Sequence, residues 1–170
     1  MLREVHKGGK RRDVALIEVL ANTGLRVGEL ADLTLEDVEI SERKGMVTVR
    51  SGKAAKYRQV PLNSDARRAV SSYLVVRPQS TETYLLLGQR DEPLTPSGIW
   101  RVVKKYGQRA GLDTSPHTLR HTFGTRLVRS GTDLVTVAAM MGHESLDTTA
   151  IYSQPTAEDM AEAVEKLEAI

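Results

Sequence analysis

Cysteine is absent from the 170 residues, which removes disulfides, thiolate metal sites and cysteine nucleophiles together. Its absence fits a reducing, intracellular compartment. No apolar run approaches the length needed to cross a bilayer. The opening stretch MLREVHKGGKRR is polar and lacks an apolar core, so no signal peptide is visible. Neither an internal repeat nor a low-complexity segment is present. Aromatic residues are few: one tryptophan, one phenylalanine and five tyrosines. Each tyrosine therefore calls for a reason.

Apolar residues make up 40% of the chain, enough for one folded domain with a real core. The net charge of +2 is small, but its distribution is not even. Residues 130–170 hold eight acids and one base, Lys166, so residues 1–129 carry a net +9. A basic body with an acidic tail suggests a polyanionic partner, most simply nucleic acid, against the plainer reading of a solvated surface.

Periodicity predicts a helix over 11–22, closed by Gly24, and a short helix in RVGELAD. DVEIS, MVTVRS and RQVPL alternate as strands and predict a three-stranded antiparallel sheet near residues 37–62. Asn63 or Ser64 caps a helix that Pro78 closes. TYLLLG reads as a short buried extended piece. Thr95 caps a helix to about Ala110, ended by Gly111. Further helices are expected at 117–130, 133–141, about 145–153 and 156–168. The class expected is mainly α with a small sheet (α+β), as one domain over 1–170.

Four short stretches carry polar residues in patterns that suit chemistry. In TGLRVGEL, Arg26 opens a helix after Gly24; alternatively it is a surface arginine pairing with Glu29, three residues on. In RSGKAAKYRQVPL, Lys53, Lys56 and Arg58 put positive charge on one hairpin, either as a solubilising turn or as a cation reaching into a groove. In SPHTLRHTFGTRL, His117, Arg120 and His121 share one helix face. Two histidines four apart can suggest zinc, but Thr118 stands where a metalloprotease has glutamate, and no acid on this helix completes a site. Histidine with arginine suits a phosphate instead, against the alternative of histidines packed at a helix junction. In GHESLDTTAIYSQ, His143 follows Gly142, and Tyr152 is the only tyrosine placed after a Gly-His turn. Tyr152 is either a packing residue or a nucleophile.

In this order the four stretches resemble the tyrosine recombinase (phage integrase, Xer-like) family, from about residue 11 to 155. By resemblance the family's Arg, Lys, His-x-x-Arg, His and Tyr fall on Arg26, Lys53, His117, Arg120, His143 and Tyr152. Arg126 and Gln154 stand where relatives often have histidine. The resemblance implies the tyrosine recombinase catalytic-domain fold and a DNA strand transferase. Tyr152 attacks a phosphodiester to form a 3′-phosphotyrosyl link, Arg26 and Arg120 clamp its oxygens, Lys53 protonates the leaving 5′ oxygen, and His117 takes the tyrosine proton. His143 helps hold the phosphate. No cofactor is expected, neither metal nor nucleotide.

The helix SGIWRVVKKYGQRA sets an apolar stripe against Arg101, Lys104 and Lys105, which together with Lys56 and Arg58 form an expected DNA surface. Such contacts orient a protein on the DNA backbone but carry little sequence information. The family usually has a separate N-terminal DNA-binding domain, which this chain is expected to lack. The resemblance further implies double-stranded DNA as partner, a homotetramer on two DNA sites joined through the amphipathic segment 156–168 (Met160, Val164, Leu167), and a DNA-associated cytoplasmic location without a membrane. Two other readings remain: a type IB topoisomerase-like enzyme, and a non-catalytic DNA-binding protein on the same scaffold.

Overall fold

A computed structural model describes residues 1–51 and 56–143 of the chain. Lys53, Tyr152 and the helices expected over 145–153 and 156–168 lie outside the described residues. Within them are seven α-helices, one short 3-10 turn at Leu35–Asp37 and one three-stranded sheet, the mainly helical α+β class that the periodicity predicts. In chain order these are α1 (Leu2–Gly8), α2 (Arg11–Thr23), α3 (Val27–Asp32), β1 (Val38–Ile40), β2 (Gly45–Ser51), β3 (Lys56–Pro61), α4 (Ser64–Leu74), α5 (Pro96–Arg109), α6 (Pro116–Arg129) and α7 (Leu134–Met141).

Helix α2 is the axis of the core. Leu16, Ile17, Val19 and Leu20 are all buried, more than one face of a helix requires, because α1, α3, α4, α5 and α6 all pack around it. The helix stops where Gly24 adopts φ +64°, a left-handed cap that suits glycine. The starts of α4 to α7 follow capping side chains. Asn63 accepts from the Ala66 amide at 2.9 Å, Thr95 from Gly98 at 3.2 Å, Ser115 from Thr118 at 3.1 Å and Asp133 from Thr136 at 2.8 Å. Each satisfies an amide that the first helical turn leaves unpaired.

The sheet order is β1-β2-β3, antiparallel throughout. Val47 faces Val38 on one side and Val60 on the other, and Val49 faces Arg58. Residues opposite each other share a face of the sheet. The inner face is therefore Val47, Val49 and Val60, all buried, together with Arg58. The outer face carries Arg50 opposite Tyr57, and Arg50 pairs with Asp37 at 2.6 Å. In TYLLLG the three leucines are buried as expected, each 1% exposed, but Thr83 is exposed and the backbone bends at Leu85 and Leu86 between single bridges at Tyr84 and Leu87.

Helix α1 is not foreseen in the sequence. It is seven residues long and polar, too short to hold together alone. Tertiary packing creates it: Val5 enters the main core, and His6 meets Glu18 of α2 at 2.7 Å. A second, smaller cluster of Phe123, Val137 and Met141 joins α6 to α7. Among the described residues no helix is long and apolar enough to cross a membrane.

Candidate active site

The C-terminal end of α7 is where Arg26, Arg58 and Arg120 meet, next to His143. Met140, Met141 and Gly142 present three successive carbonyls, the kind of group that a helix end leaves without a helical partner. Each accepts a hydrogen bond from a different arginine. Arg58 Nε of β3 donates to Met140 at 3.0 Å. Arg120 Nη2 of α6 donates to Met141 at 2.7 Å. Arg26 Nη2, at the start of α3, donates to Gly142 at 3.1 Å. Positive groups at a helix C-terminus also oppose the negative end of the helix dipole.

Arg120 is buried at 8% exposure, and a buried guanidinium requires partners. It has them: its Nη1 also donates to the carbonyl of Gly24, the residue that ends α2. Arg120 thus ties the α2 end to the α7 end. Arg26 remains half exposed, with 51% of its side chain accessible. The anticipated pair with Glu29 is present at 3.0 Å, and Glu29 also accepts from the Arg26 amide at 2.7 Å. Pairing with Glu29 and membership of the cluster are therefore both true of Arg26.

Gly142 ends α7 with φ +64°, a left-handed conformation. A Cβ there would stand 2.7 Å from Arg58 Nη1, so glycine is needed for backbone and for space. His143 follows, its amide donating to the Ala138 carbonyl at 3.0 Å. Burial lowers the pKa of His143 first, and the positive charges of Arg120, Arg26 and Arg58 lower it further. Burial and the three arginine charges therefore act together against the charged form of this imidazole. His117 sits in the first turn of α6, one helical turn before Arg120, and is exposed; His121 is exposed as well.

Glu29 and Arg58 have functions that sequence reasoning did not assign. The Arg58 guanidinium lies against Glu29 with two parallel hydrogen bonds, 2.9 and 2.7 Å. Burial alone would raise the Glu29 carboxyl, but hydrogen bonds from Arg58 and from the Arg26 amide outweigh it and hold the pKa below the ordinary value. The alternation of β3 carried the signal: Arg58 shares its face with Val60, the inward one. The α5 cations sit apart in the fold. Lys104 pairs with Asp113 at 2.6 Å and lies 5.3 Å over the Trp100 ring. Lys105 is 3.8 Å from Asp13 and 4.8 Å over the Tyr106 ring. Arg101 is exposed.

A cluster of three arginines, one carboxylate and an imidazole has a net positive charge, with planar donors suited to phosphate oxygens. Among the described residues no three His, Asp or Glu side chains are grouped to hold a metal ion.

The phage integrase family model matches residues 1–159, and the chain belongs to that family. Tyrosine recombinase XerA of Pyrococcus furiosus is 39% identical over 168 residues, which are 97% of this chain and 58% of that protein. Tyrosine recombinase XerD of Corynebacterium glutamicum is 43% identical over 157 residues, 89% of this chain and 51% of that protein. Among solved structures, the XerA recombinase matches with a TM-score of 0.85 at 33% identity, over 99% of this chain and 62% of that one. The XerH site-specific recombinase bound to its difH substrate in a pre-cleavage complex matches with a TM-score of 0.84 at 26% identity, over 99% and 52%. The chain spans between half and three fifths of the length of these curated relatives.

Proposed function

We propose that residues 1–170 form the catalytic domain of a site-specific DNA recombinase that cuts and rejoins strands through a 3′-phosphotyrosyl intermediate. The observation that carries this reading is the convergence of Arg26 and Arg120 beside His143 on the end of α7. Relatives named as tyrosine recombinases, and a structural neighbour that is a site-specific recombinase bound to its difH substrate, support it.

A phosphodiester resists attack because it is anionic and its leaving alkoxide is strongly basic. The two arginines neutralise the non-bridging oxygens as charge builds in the transition state. Tyr152 Oη attacks phosphorus and its proton passes to His117. The bond from phosphorus to the 5′ oxygen breaks, and Lys53 protonates that oxygen. A free tyrosine has a pKa near ~10, so surrounding cations are needed to favour the phenolate. His143 donates a hydrogen bond to the phosphate. One phosphodiester is exchanged for another, so attack by a second strand's 5′-hydroxyl reverses the step and joins new partners. The reading requires neither metal nor nucleotide.

Arg101, Lys104, Lys105 and Lys56 supply DNA-backbone contacts in this reading. The acidic amphipathic segment 156–168 docks on a neighbouring protomer in a tetramer on two DNA sites, in the cytoplasm where such DNA lies. Deleting the residues after Pro155 then weakens pairing of two sites while single-site binding persists, measured by native gel shift. The reading as a whole is tested with a library of randomised, nicked duplexes. Wild type is expected to form an adduct that survives denaturation, and Tyr152→Phe none. An adduct with Tyr152→Phe removes the nucleophile assignment. A folded wild-type chain that binds the library but traps no member favours the non-catalytic reading.

A further inference from the structure

Arg58 is the arginine of the cluster whose guanidinium is committed to a carboxylate largely out of solvent. Its side chain is 15% exposed, as is that of Glu29, whereas Arg26 is half open. The Glu29 carboxylate serves two arginines at once. Oε1 accepts from Arg26 Nη1 and Arg58 Nη1, at 3.0 and 2.9 Å. Oε2 accepts from the Arg26 amide and Arg58 Nη2, both at 2.7 Å. Glu29 therefore sets both the backbone and the side chain of Arg26. It also introduces a negative charge beside the residue that is to meet a phosphate. A carboxylate with Arg26 as its sole partner would hold that guanidinium and repel the phosphate; in a half-buried setting such charges are poorly screened.

We infer that Arg58 is a positioning residue: it neutralises Glu29, so that Glu29 can orient Arg26 without occupying it, and it pins the β2–β3 hairpin to the end of α7. This rests on the recombinase reading above. The second half follows from topology. β2 ends at Ser51 and β3 begins at Lys56, so Lys53 belongs to the connection of this hairpin. The third residue of β3, Arg58, bonds to the Met140 carbonyl, three residues before His143. One guanidinium thus links the strand next to Lys53, the carboxylate that sets Arg26 and the turn that carries His143. Arg58 fits this role better than DNA contact because Glu29 and Met140 take donors from its Nε, Nη1 and Nη2 alike.

The test uses the full chain in single-turnover adduct formation on a duplex selected from the nicked library. Arg58→Met is expected to slow the adduct roughly ten- to a hundredfold, the scale of a lost charge-assisted hydrogen bond. Glu29→Gln combined with Arg58→Met is expected to recover several-fold over Arg58→Met alone, because the uncompensated carboxylate is gone. Packing lost at Arg58 cannot be restored by a change at Glu29, so a double variant no faster than the single one overturns the charge role. Arg58→Met at the wild-type rate overturns the inference entirely. Where Arg58→Met does not fold, Arg58→Lys replaces it: the retained charge predicts a rate between wild type and one-tenth of it, and a rate below one-hundredth of wild type overturns the role. A readout independent of activity is the His143 imidazole titration by NMR. Its midpoint is expected to rise in Arg58→Met, and an unchanged midpoint shows that Arg58 does not act on this site. A wild-type chain that forms no adduct contradicts the recombinase reading but leaves the His143 titration to decide on Arg58.

Discussion

Helices α2 and α7 both end on a glycine at φ +64°, yet different forces hold the two ends. Leu16, Ile17 and Leu20 bury α2 in the main core with no exposed surface at all. α7 has only Val137 and Met141 fully buried, in the small cluster with Phe123, and its Val135 is 64% exposed. Its last three carbonyls are held by arginines from three other elements. Apolar burial is non-directional and responds to volume. Charge-assisted hydrogen bonds fix direction and respond to charge. The scaffold uses the first and the site uses the second, so the two regions should fail differently.

The largest effect on stability is expected at α2. Leu20→Ala leaves a cavity in a close-packed core and should cost about 2–5 kcal/mol. The folded fraction should keep its rate of adduct formation, so denaturant melts and single-turnover rates together check this. Arg120→Ala should invert the pattern. It removes donors to Gly24 and Met141 and, on the proposed recombinase reading, a clamp on the phosphate, with a rate loss of roughly 10²–10³-fold. Native-state hydrogen exchange should show α7 amides opening while α2 amides stay protected.

A smaller effect belongs to Gly142→Ala. A left-handed alanine costs about 1–2 kcal/mol, and the new Cβ presses on Arg58. Adduct formation should slow through displacement of His143, with the main melting transition nearly unmoved.

The smallest effect is the pH dependence of the α7 end. His143 has its pKa lowered in the folded chain, so the unfolded chain takes up the proton first. Stability from this group is constant above the unfolded value of ~6.5 and falls as pH drops below it. His143→Gln should flatten the melting-temperature profile in that window. Glu29 acts in a separate, lower window. Its folded pKa is depressed, so its contribution is full above the ordinary carboxylate value and is lost as pH falls through the folded one.

Much of the scaffold was legible along the chain. Gly24, Asn63, Thr95 and Gly111 mark helix ends through bonds or dihedrals within a few residues of themselves. The alternation of MVTVRS and RQVPL predicts the sheet, because side chains on a strand repeat every two residues. Helix α1 was not legible, since a seven-residue helix with only Leu2 and Val5 apolar depends on its packing against the core. The site was half legible. The residue types at 26, 117, 120 and 143 stand in an order that points to phosphate chemistry. Arg58 reads as one more cation on a hairpin, while its place on the inward face binds it to Glu29.

The sequence by itself determined helices α2 to α7, the strands, the Asn63 and Thr95 caps and the identity of the candidate residues, because periodicity and capping are short-range properties. Only the tertiary structure decided which arginines share a partner. Arg26 reaches Gly142 across 116 positions, Arg120 reaches Gly24 across 96, and Arg58 reaches Met140 across 82. Bonds of that span exist only after α2, α6, α7 and the sheet have packed. The packing is driven by apolar burial that is indifferent to which charges it brings together.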